Sequence, residues 1–216
     1  MNTRRKVLLD CESFKNIPGI SARDYEIVLS GKFFNYISNN DESQEIYSLI
    51  RENCDIRFCT ETSEESSTES IIFYPVPVVC IFAYDSYGNY FGTFNGLGTI
   101  EDYEKSVVYL NKFSGAHGKI SDNMKSFFSL VNYYPYWRSI LDHEQNGTTY
   151  NLSIIEREDS KDESYFKRQK EIGEALNLSR DPNAIIAMIE NLRRQSEFKV
   201  YASKKEAEVE NEFIEI

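Results

Sequence analysis

The feature that most constrains the fold of this 216-residue chain is a continuous apolar run at residues 78–84, VVCIFAY. Seven apolar residues without polar alternation are typical of a strand that is covered on both faces. Pro75 and Pro77 precede the run, and proline is tolerated at the entry to a strand, where no ladder hydrogen bond is lost. We therefore predict a central β-strand that ends at Tyr84, with the core built around it.

A turn follows this run and two further strands come after it. Residues 85–89 read DSYGN, and Gly88 and Asn89 both tolerate the positive φ that tight turns need. Residues 90–94 (YFGTF) form the returning strand, and residues 107–110 (VVYL) form a third strand. The sequence therefore predicts an antiparallel meander at the centre of the fold.

Helices are predicted before and after the meander in the sequence. Apolar residues at helical spacing indicate helices over 24–37 and 43–52, followed by a short strand over 55–58. A further helix begins with Ser121 as its N-cap and is interrupted at Pro135. In that helix Phe127 and Phe128 share a face with Met124 and Val131, so we expect both rings to pack on the sheet.

Composition changes after about residue 145, where charged residues become frequent. Helices are predicted over 162–177 and 181–196, the second with Asp181 as N-cap and Pro182 in its first turn. The fold class predicted is α+β, with a central antiparallel sheet flanked by helices. An irregular segment (1–20) precedes the α+β domain (21–145), and a helical C-terminal extension (146–216) follows it.

The charge balance argues against two classes of partner. The chain has 35 acidic and 24 basic residues, a net charge of -11 and a pI near 4.8. Binding to nucleic acid through counterion release and binding to an anionic membrane surface both need the opposite sign. The most biased stretch is residues 60–70, TETSEESSTES, which reads first as a solvated loop and alternatively as an acidic surface that faces a basic partner.

Cysteine and histidine usage indicates no metal site and no cofactor. Cys54 and Cys59 are five residues apart, which fits no common zinc spacing, and His117 and His143 lie far from any cysteine. Cys80 is expected to be a buried thiol. The first residues, MNTRRKVLLDCESFKN, contain no apolar segment typical of a signal peptide. We expect a cytoplasmic protein with free thiols.

Catalytic motifs are weak in this sequence. Residues 95–98, NGLG, lack the third glycine of a dinucleotide-binding loop, and there is no GxSxG sequence. Asp85 and Asp102 each follow a predicted strand, and either could act with His117 in a hydrolase. Aspartate at the end of a strand is more often turn chemistry.

Three short motifs occur in a characteristic order. The turn at residues 85–91 is DSYGNYF, the strand at residues 107–111 is VVYLN, and the late helix contains SFFSL at residues 126–130. This order resembles the SUKH superfamily of Smi/Knr-type immunity and regulatory proteins. The resemblance covers residues 21–141 and is strongest over residues 76–131.

The resemblance implies a non-enzymatic α+β domain that binds a protein partner. In this family the partner is often a secreted bacterial toxin, which the immunity protein neutralises in the cytosol of the producing cell. A regulatory or scaffolding protein on the same fold is the alternative. The sequence leaves the oligomeric state open.

Candidate partner-binding residues fall into two groups. Acidic side chains would speed the encounter with a basic toxin domain, while aromatic side chains near the sheet rim would hold it, because aromatic residues carry much of the energy of protein interfaces. The acidic group comprises Glu61, Glu64, Glu65 and Glu69. The rim group comprises Asp85, Tyr87, Tyr90 and Tyr103.

Overall fold

A four-stranded antiparallel meander forms the centre of the computed structural model, which describes residues 20–21, 28–30, 41–58, 74–76, 79–94, 104–203 and 205–207. Its strands are β5 (Val79–Tyr84), β6 (Asn89–Phe94), β7 (Val107–Asn111) and β8 (His117–Ser121). They pair in this order, each antiparallel to the next. The predicted meander is confirmed and has a fourth strand.

Three short strands extend the meander to a seven-stranded sheet. These are β1 (Ile20–Ser21), β2 (Val28–Ser30) and β3 (Arg57–Phe58). β2 runs parallel to β5, β1 pairs with β2, and β3 pairs antiparallel with the end of β5. A separate two-stranded sheet joins β4 (Tyr74–Val76) to β9 (Lys199–Tyr201).

The helices of the described residues pack mainly on the face of the sheet that buries Phe82 and Phe91. They are α1 (Asp41–Cys54), α2 (Met124–Tyr133), α3 (Trp137–Asn146), α4 (Leu152–Glu158), α5 (Glu163–Ala175) and α6 (Ala184–Arg193). Pro135 separates α2 from α3, as predicted, and Gly147 ends α3 with a φ of 62°. No helix in the described ranges combines the length and apolarity needed to cross a bilayer.

The two faces of the sheet bury different side chains. Phe82, Phe91 and Tyr109 point to the helical side, where they join the main core cluster with Phe127 and Phe128. The alternate residues form a smaller cluster on the other face, which comprises Val79, Ile81, Tyr90, Val108, Leu110 and Phe198. This alternation is the two-residue period of strands. The prediction that Phe127 and Phe128 pack on the sheet is confirmed, since both rings are buried.

The C-terminal helices share the same core. α5 packs against α1 and α2, and α6 packs against β8, α3 and α2. Ile172, Leu176, Ile185 and Met188 are buried in the main cluster together with the side chains of the sheet. The segment after residue 145 is therefore part of the hydrophobic core of the domain.

One element type was predicted wrongly. Part of the predicted helix over 24–37 is a strand, because Val28–Ser30 pairs with Cys80 and Ile81 of β5. Tertiary pairing along the free edge of a central strand outweighs the helical spacing of neighbouring apolar residues. The helix predicted over 43–52 is confirmed as α1.

Helix starts differ from the sequence prediction by two residues. Ser121 is the last residue of β8, and the N-cap of α2 is Asn123, whose Oδ1 accepts from the backbone N–H of Ser126 at 2.8 Å. Asp181 lies two residues before the N-cap of α6, Asn183. Strands β1, β4, β8 and β9 and helix α4 were not predicted, since each of them is short.

Candidate protein-binding surface

Two β-hairpin turns lie side by side at one end of the meander. The β5–β6 turn contains residues 85–88, and the β7–β8 turn contains residues 112–116. Asn89 and Asn111 are directly opposite each other on β6 and β7. The backbone N–H of Lys112 donates to the carbonyl of Gly88 at 2.8 Å, so the two turns are hydrogen-bonded to each other. We call the exposed side of these turns the hairpin-end surface.

Asp85 organises the first turn from the inside. Its Oδ1 accepts from the backbone N–H groups of Tyr87 and Asn89, both at 2.9 Å. Its Oδ2 accepts from Nδ2 of Asn89 at 3.0 Å and from Nε of Arg138 at 3.2 Å. The carboxylate is fully buried, and these four donors satisfy it. Its role here is therefore to fix the shape of the turn.

Asn89 and Asn111 extend the network to the second turn. Nδ2 of Asn111 donates to Oδ1 of Asn89 at 2.9 Å, and Gln145 on α3 donates to the same oxygen at 3.3 Å. Oδ1 of Asn111 accepts from the backbone N–H groups of Phe113 and Ser114, each at 3.0 Å. One chain of side-chain amides thus holds both turns in a single conformation.

Arg138 on α3 connects the turns to the end of α1. Its Nη2 donates to the carbonyl of Cys54 at 3.0 Å and lies 3.7 Å from Oδ2 of Asp55. The guanidinium carbon lies 4.7 Å from the ring centroid of Trp137 and 5.1 Å from that of Tyr87. A guanidinium stacked between two rings supports both of them by cation–π attraction. Arg138 therefore packs against the Tyr87 ring and helps to fix its position.

Asp55 joins α1 to the first turn from the other side. It follows the last residue of α1 with a φ of 52°, and its backbone N–H donates to the carbonyl of Arg51 at 3.0 Å. Its Oδ2 accepts from both the backbone N–H and the hydroxyl of Ser86. Aspartate tolerates the left-handed conformation better than most residues, which explains its place at this helix end.

Two aromatic rings project from this buried network into solvent. The side chains of Tyr87 and Phe113 are 61% and 75% exposed. Phe113 covers Gly88, where φ is 80° and a Cβ would lie 2.4 Å from the Phe113 ring. Nζ of Lys112 lies 5.2 Å from the centroid of the same ring. The hairpin-end surface therefore presents two large apolar groups on a rigid base.

Such a surface is suited to binding a protein. Exposed aromatic residues that become buried on association supply much of the energy of protein interfaces. Their turns are already ordered by buried hydrogen bonds, so little conformational entropy is lost when a partner binds. The surrounding polar groups satisfy one another, so they leave the apolar rings as the main feature that a partner could cover.

The structure places the predicted rim residues in different environments. Tyr87 is on the hairpin-end surface, whereas Tyr90 is 1% exposed and belongs to the small core cluster. The expectation that Tyr90 lies at the rim is therefore corrected: on β6 it alternates with Phe91, and its side of the sheet is covered by Phe198. Asp85 is buried, and its carboxylate accepts a hydrogen bond from the backbone N–H of Tyr87.

Several predictions lie outside the described residues. These are the acidic side chains Glu61, Glu64, Glu65 and Glu69, together with Asp102, Tyr103, Cys59, the side chain of Cys80 and residues 95–98. For the hydrolase alternative, Asp85 is engaged with four donors, and no hydrogen bond joins it to His117 among the described residues.

Sequence reasoning missed Asn111, Phe113 and Arg138. Residues 111–115 read NKFSG, an asparagine–glycine-containing loop between two apolar stretches, which is a recognisable hairpin signal. Recognising it would have placed Phe113 at a turn. The pairing of Arg138 with Asp85 spans 53 residues, and no local pattern indicates it.

The two histidines and Cys54 have structural surroundings. His117 is the first residue of β8, and its Nδ1 contacts the carbonyl of Gly115 at 2.8 Å. His143 lies in the last turn of α3 and stacks on Tyr150. Burial raises the pKa of the Cys54 thiol to about 12 against a smaller lowering effect of Arg138, so the thiol is protonated at neutral pH. No cluster of three metal-ligating side chains occurs within the described ranges.

Comparisons with protein-family models, with curated proteins and with solved structures find no match to this chain. Functional inference therefore rests on the hairpin-end surface, the charge of the chain and the three motifs in its sequence. Two of these motifs adjoin the surface. Residues 85–91 contain its first turn and the start of β6, and residues 107–111 form the strand that leads to its second turn.

Proposed function

We propose that this chain is a non-enzymatic protein-binding module of the SUKH type, and that it acts as a bacterial immunity protein that neutralises a cognate toxin. The observation that carries the proposal is the pair of exposed rings, Tyr87 and Phe113, on two turns that are held in place by hydrogen bonds of buried side chains. Under this proposal the chain acts in the cytosol of the producing cell.

The rings supply the affinity in this account. Burying a large aromatic side chain contributes roughly 2–3 kcal/mol from its apolar surface alone. Tyr87 also brings a hydroxyl group, which can accept or donate a hydrogen bond at the edge of the contact. Two such rings on adjacent turns match the size of the central contact that dominates many protein interfaces.

The overall charge supplies the attraction at long range. A net charge of -11 favours the approach of a basic toxin domain. Beside the hairpin-end surface, Arg57 and Arg138 are balanced in part by Asp55 and the buried Asp85, and Lys112 lies in its second turn. The charge of the whole chain therefore affects the rate of association, and the two rings affect the rate of dissociation. Added salt should slow association much more than it speeds dissociation.

Growth rescue tests this proposal directly. Each reading frame that flanks the gene in its native genome is expressed alone in a heterologous bacterium, and then together with this chain. The expected result is that one flanking product is toxic and that co-expression of the chain restores growth. Tyr87→Ala/Phe113→Ala should abolish the rescue, because it removes both exposed rings and leaves the buried network in place.

Phe166→Ala is the matched control, since Phe166 is 53% exposed on α5, outside the hairpin-end surface. It should rescue growth as well as the unmodified chain. Absence of any toxic flanking product would contradict the immunity function and favour the regulatory or scaffolding alternative. Full rescue by the double variant would contradict the assignment of the surface.

A further inference from the structure

A separate cavity of about 340 Å³ lies between the first turns of α2, the end of β8 and α6. Its walls are the first turns of α2, the end of β8, the loop before α6 and one side of α6. None of the residues of the hairpin-end surface lines it. The cavity is large enough for a small organic molecule, which needs less volume than the drug-sized ligands of typical pockets.

The side chain of Asn191, which lines this cavity, has no hydrogen-bond partner among the described residues. Asn191 on α6 is 5% exposed and lines the cavity, and no hydrogen bond to its side-chain amide occurs among the described residues. The fully buried side-chain atoms that lack a partner among the described residues belong to Asn53, Asn132 and Asp159, so the amide of Asn191 is open to the cavity. Asn191 is therefore an uncommitted donor and acceptor that faces the cavity.

The N-terminal turn of α2, which carries a partial positive charge, borders the cavity. Asn123 caps the backbone N–H of Ser126, while the N–H groups of the two residues before Ser126 have no acceptor among the described residues. The N-terminus of a helix carries a partial positive charge and favours anions. Lys125, which also lines the cavity, has no ion pair within the described part of the chain.

The two carboxylates at the cavity already have partners. Asp122 forms an ion pair with Lys119 at 2.7 Å, and Oδ1 of Asp181 accepts from the backbone N–H of Asn183 at 2.9 Å. A ligand with a single negative charge is therefore attracted by Lys125 and the α2 terminus and repelled by Asp181, whose partner is a neutral N–H group. A multiply charged anion would be repelled more strongly by these two carboxylates.

Part of the cavity wall is apolar. Leu130 and Met188 are buried side chains that line it, together with Ala184 and Ala187. Small alanine side chains on α6 leave room beside these larger residues. This part of the cavity can accommodate a short aliphatic body, which inorganic phosphate or sulfate does not have.

We propose that this cavity binds a small monocarboxylate with a short aliphatic body. The carboxylate accepts hydrogen bonds from Lys125 and the free N–H groups of α2, Asn191 supplies a further donor, and the aliphatic body packs on Leu130 and Met188. This inference does not depend on the proposed immunity function.

The test is a titration of the ¹⁵N-labelled full chain followed by NMR at constant ionic strength. Butyrate is the probe, and n-butylammonium is a control of equal size and opposite charge. Butyrate should produce saturable shifts of the Lys125 backbone amide and of the Asn191 side-chain NH₂, and butylammonium should produce none. Lys125→Gln should weaken butyrate binding about tenfold, the loss expected for one charge-assisted hydrogen bond.

Lys170→Gln is the matched control for charge, because Lys170 is exposed on α5 and pairs only loosely with Glu174 at 3.7 Å. It should leave butyrate binding unchanged. Three results would overturn the proposal: no saturation by butyrate, equal shifts with butylammonium or inorganic phosphate, or unchanged affinity in Lys125→Gln. Asn191→Leu, which keeps the size of the side chain, should also weaken binding, and unchanged affinity there would remove Asn191 from the site.

Discussion

The layer between the sheet and α2 differs from the hairpin end in how it is held together. In the layer, aromatic rings such as Phe82, Phe91 and Phe127 pack with centroids 5.0–5.9 Å apart. At the hairpin end, Asp85 and Asn111 direct hydrogen bonds to particular backbone groups. Packing is non-directional and tolerates change of residue type, whereas a hydrogen-bond network depends on the identity of each atom. Stability should reside mainly in the first region, and the conformation of the candidate surface in the second.

The largest expected effect comes from removing a ring in the layer. Phe127→Ala should lower the free energy of unfolding by about 3–5 kcal/mol, because the side chain is fully buried and leaves a cavity. Chemical denaturation measures this. Phe166→Ala, at an exposed position, is the control and should change stability by less than about 0.5 kcal/mol. A small effect of Phe127→Ala would show that the layer is not the main source of stability.

A change of one atom at the hairpin end should have the next largest effect. Asp85→Asn keeps the shape of the side chain, but it places an NH₂ group against Nδ2 of Asn89 or Nε of Arg138, both of which are donors. We expect a loss of about 2–3 kcal/mol in denaturation experiments. Asp122→Asn, at an exposed carboxylate, is the matched control. If both variants were equally stable, the network would not be holding the turn.

Gly88→Ala should have a smaller effect on stability and a clear local one. The positive φ of Gly88 disfavours a side chain, and the new Cβ would clash with the ring of Phe113. We expect a loss of about 1–2 kcal/mol and a displaced ring, seen as shifted Phe113 aromatic resonances in NMR spectra. Gly147→Ala is the control, because its φ is 62° but no atom lies within 4 Å of the added Cβ. Unchanged Phe113 resonances would contradict the packing of this ring.

The Glu144–Arg193 pair between α3 and α6 should give a pH-dependent effect of smaller size. Hydrogen bonds from Arg193, at 2.7 and 2.9 Å, hold the pKa of Glu144 below its usual value of 4.5. A carboxylate with a lowered pKa stabilises the fold above pH 4.5, and this contribution is lost as the pH falls through the folded-state pKa. Glu144→Gln should therefore lower Tm at pH 7, and its difference from the unmodified chain should shrink in acid.

Glu190→Gln is the control for this pH series, since Glu190 forms only a loose exposed pair with Arg194 at 3.8 Å. Its Tm should follow that of the unmodified chain at every pH. A constant difference between Glu144→Gln and the unmodified chain from pH 7 to acid would contradict the role of the ionised carboxylate.

Local patterns in the sequence predicted the elements that carry strong periodicity. The central strand, confirmed over Val79–Tyr84, the turn at Gly88 and the buried face of Phe127 and Phe128 follow from spacing and turn chemistry alone. The strand β2 escaped prediction because its pairing partner is distant in the sequence. Val28 lies in a strand because it pairs with Cys80 on the edge of β5, and these two residues are far apart in the sequence.

The candidate surface was predictable only in part, for the same reason. Tyr87 was identified because it lies in a recognisable turn. Tyr90 was misplaced because nothing near the turn in the sequence indicates that Phe198 covers its face of the sheet. Arg138 supports the turn across 53 residues of sequence, and such contacts follow from tertiary structure and not from local spacing.

The most direct test of the account is the stability of Tyr87→Ala/Phe113→Ala, measured by chemical denaturation beside Phe127→Ala. The two surface rings are more than half exposed, so the account predicts that the double variant unfolds within about 0.5 kcal/mol of the unmodified chain. That result would show that these rings are free to serve a partner. A loss of about 2 kcal/mol or more would show that they are structural and would contradict the division between a core that stabilises the fold and a hairpin end that presents a binding surface.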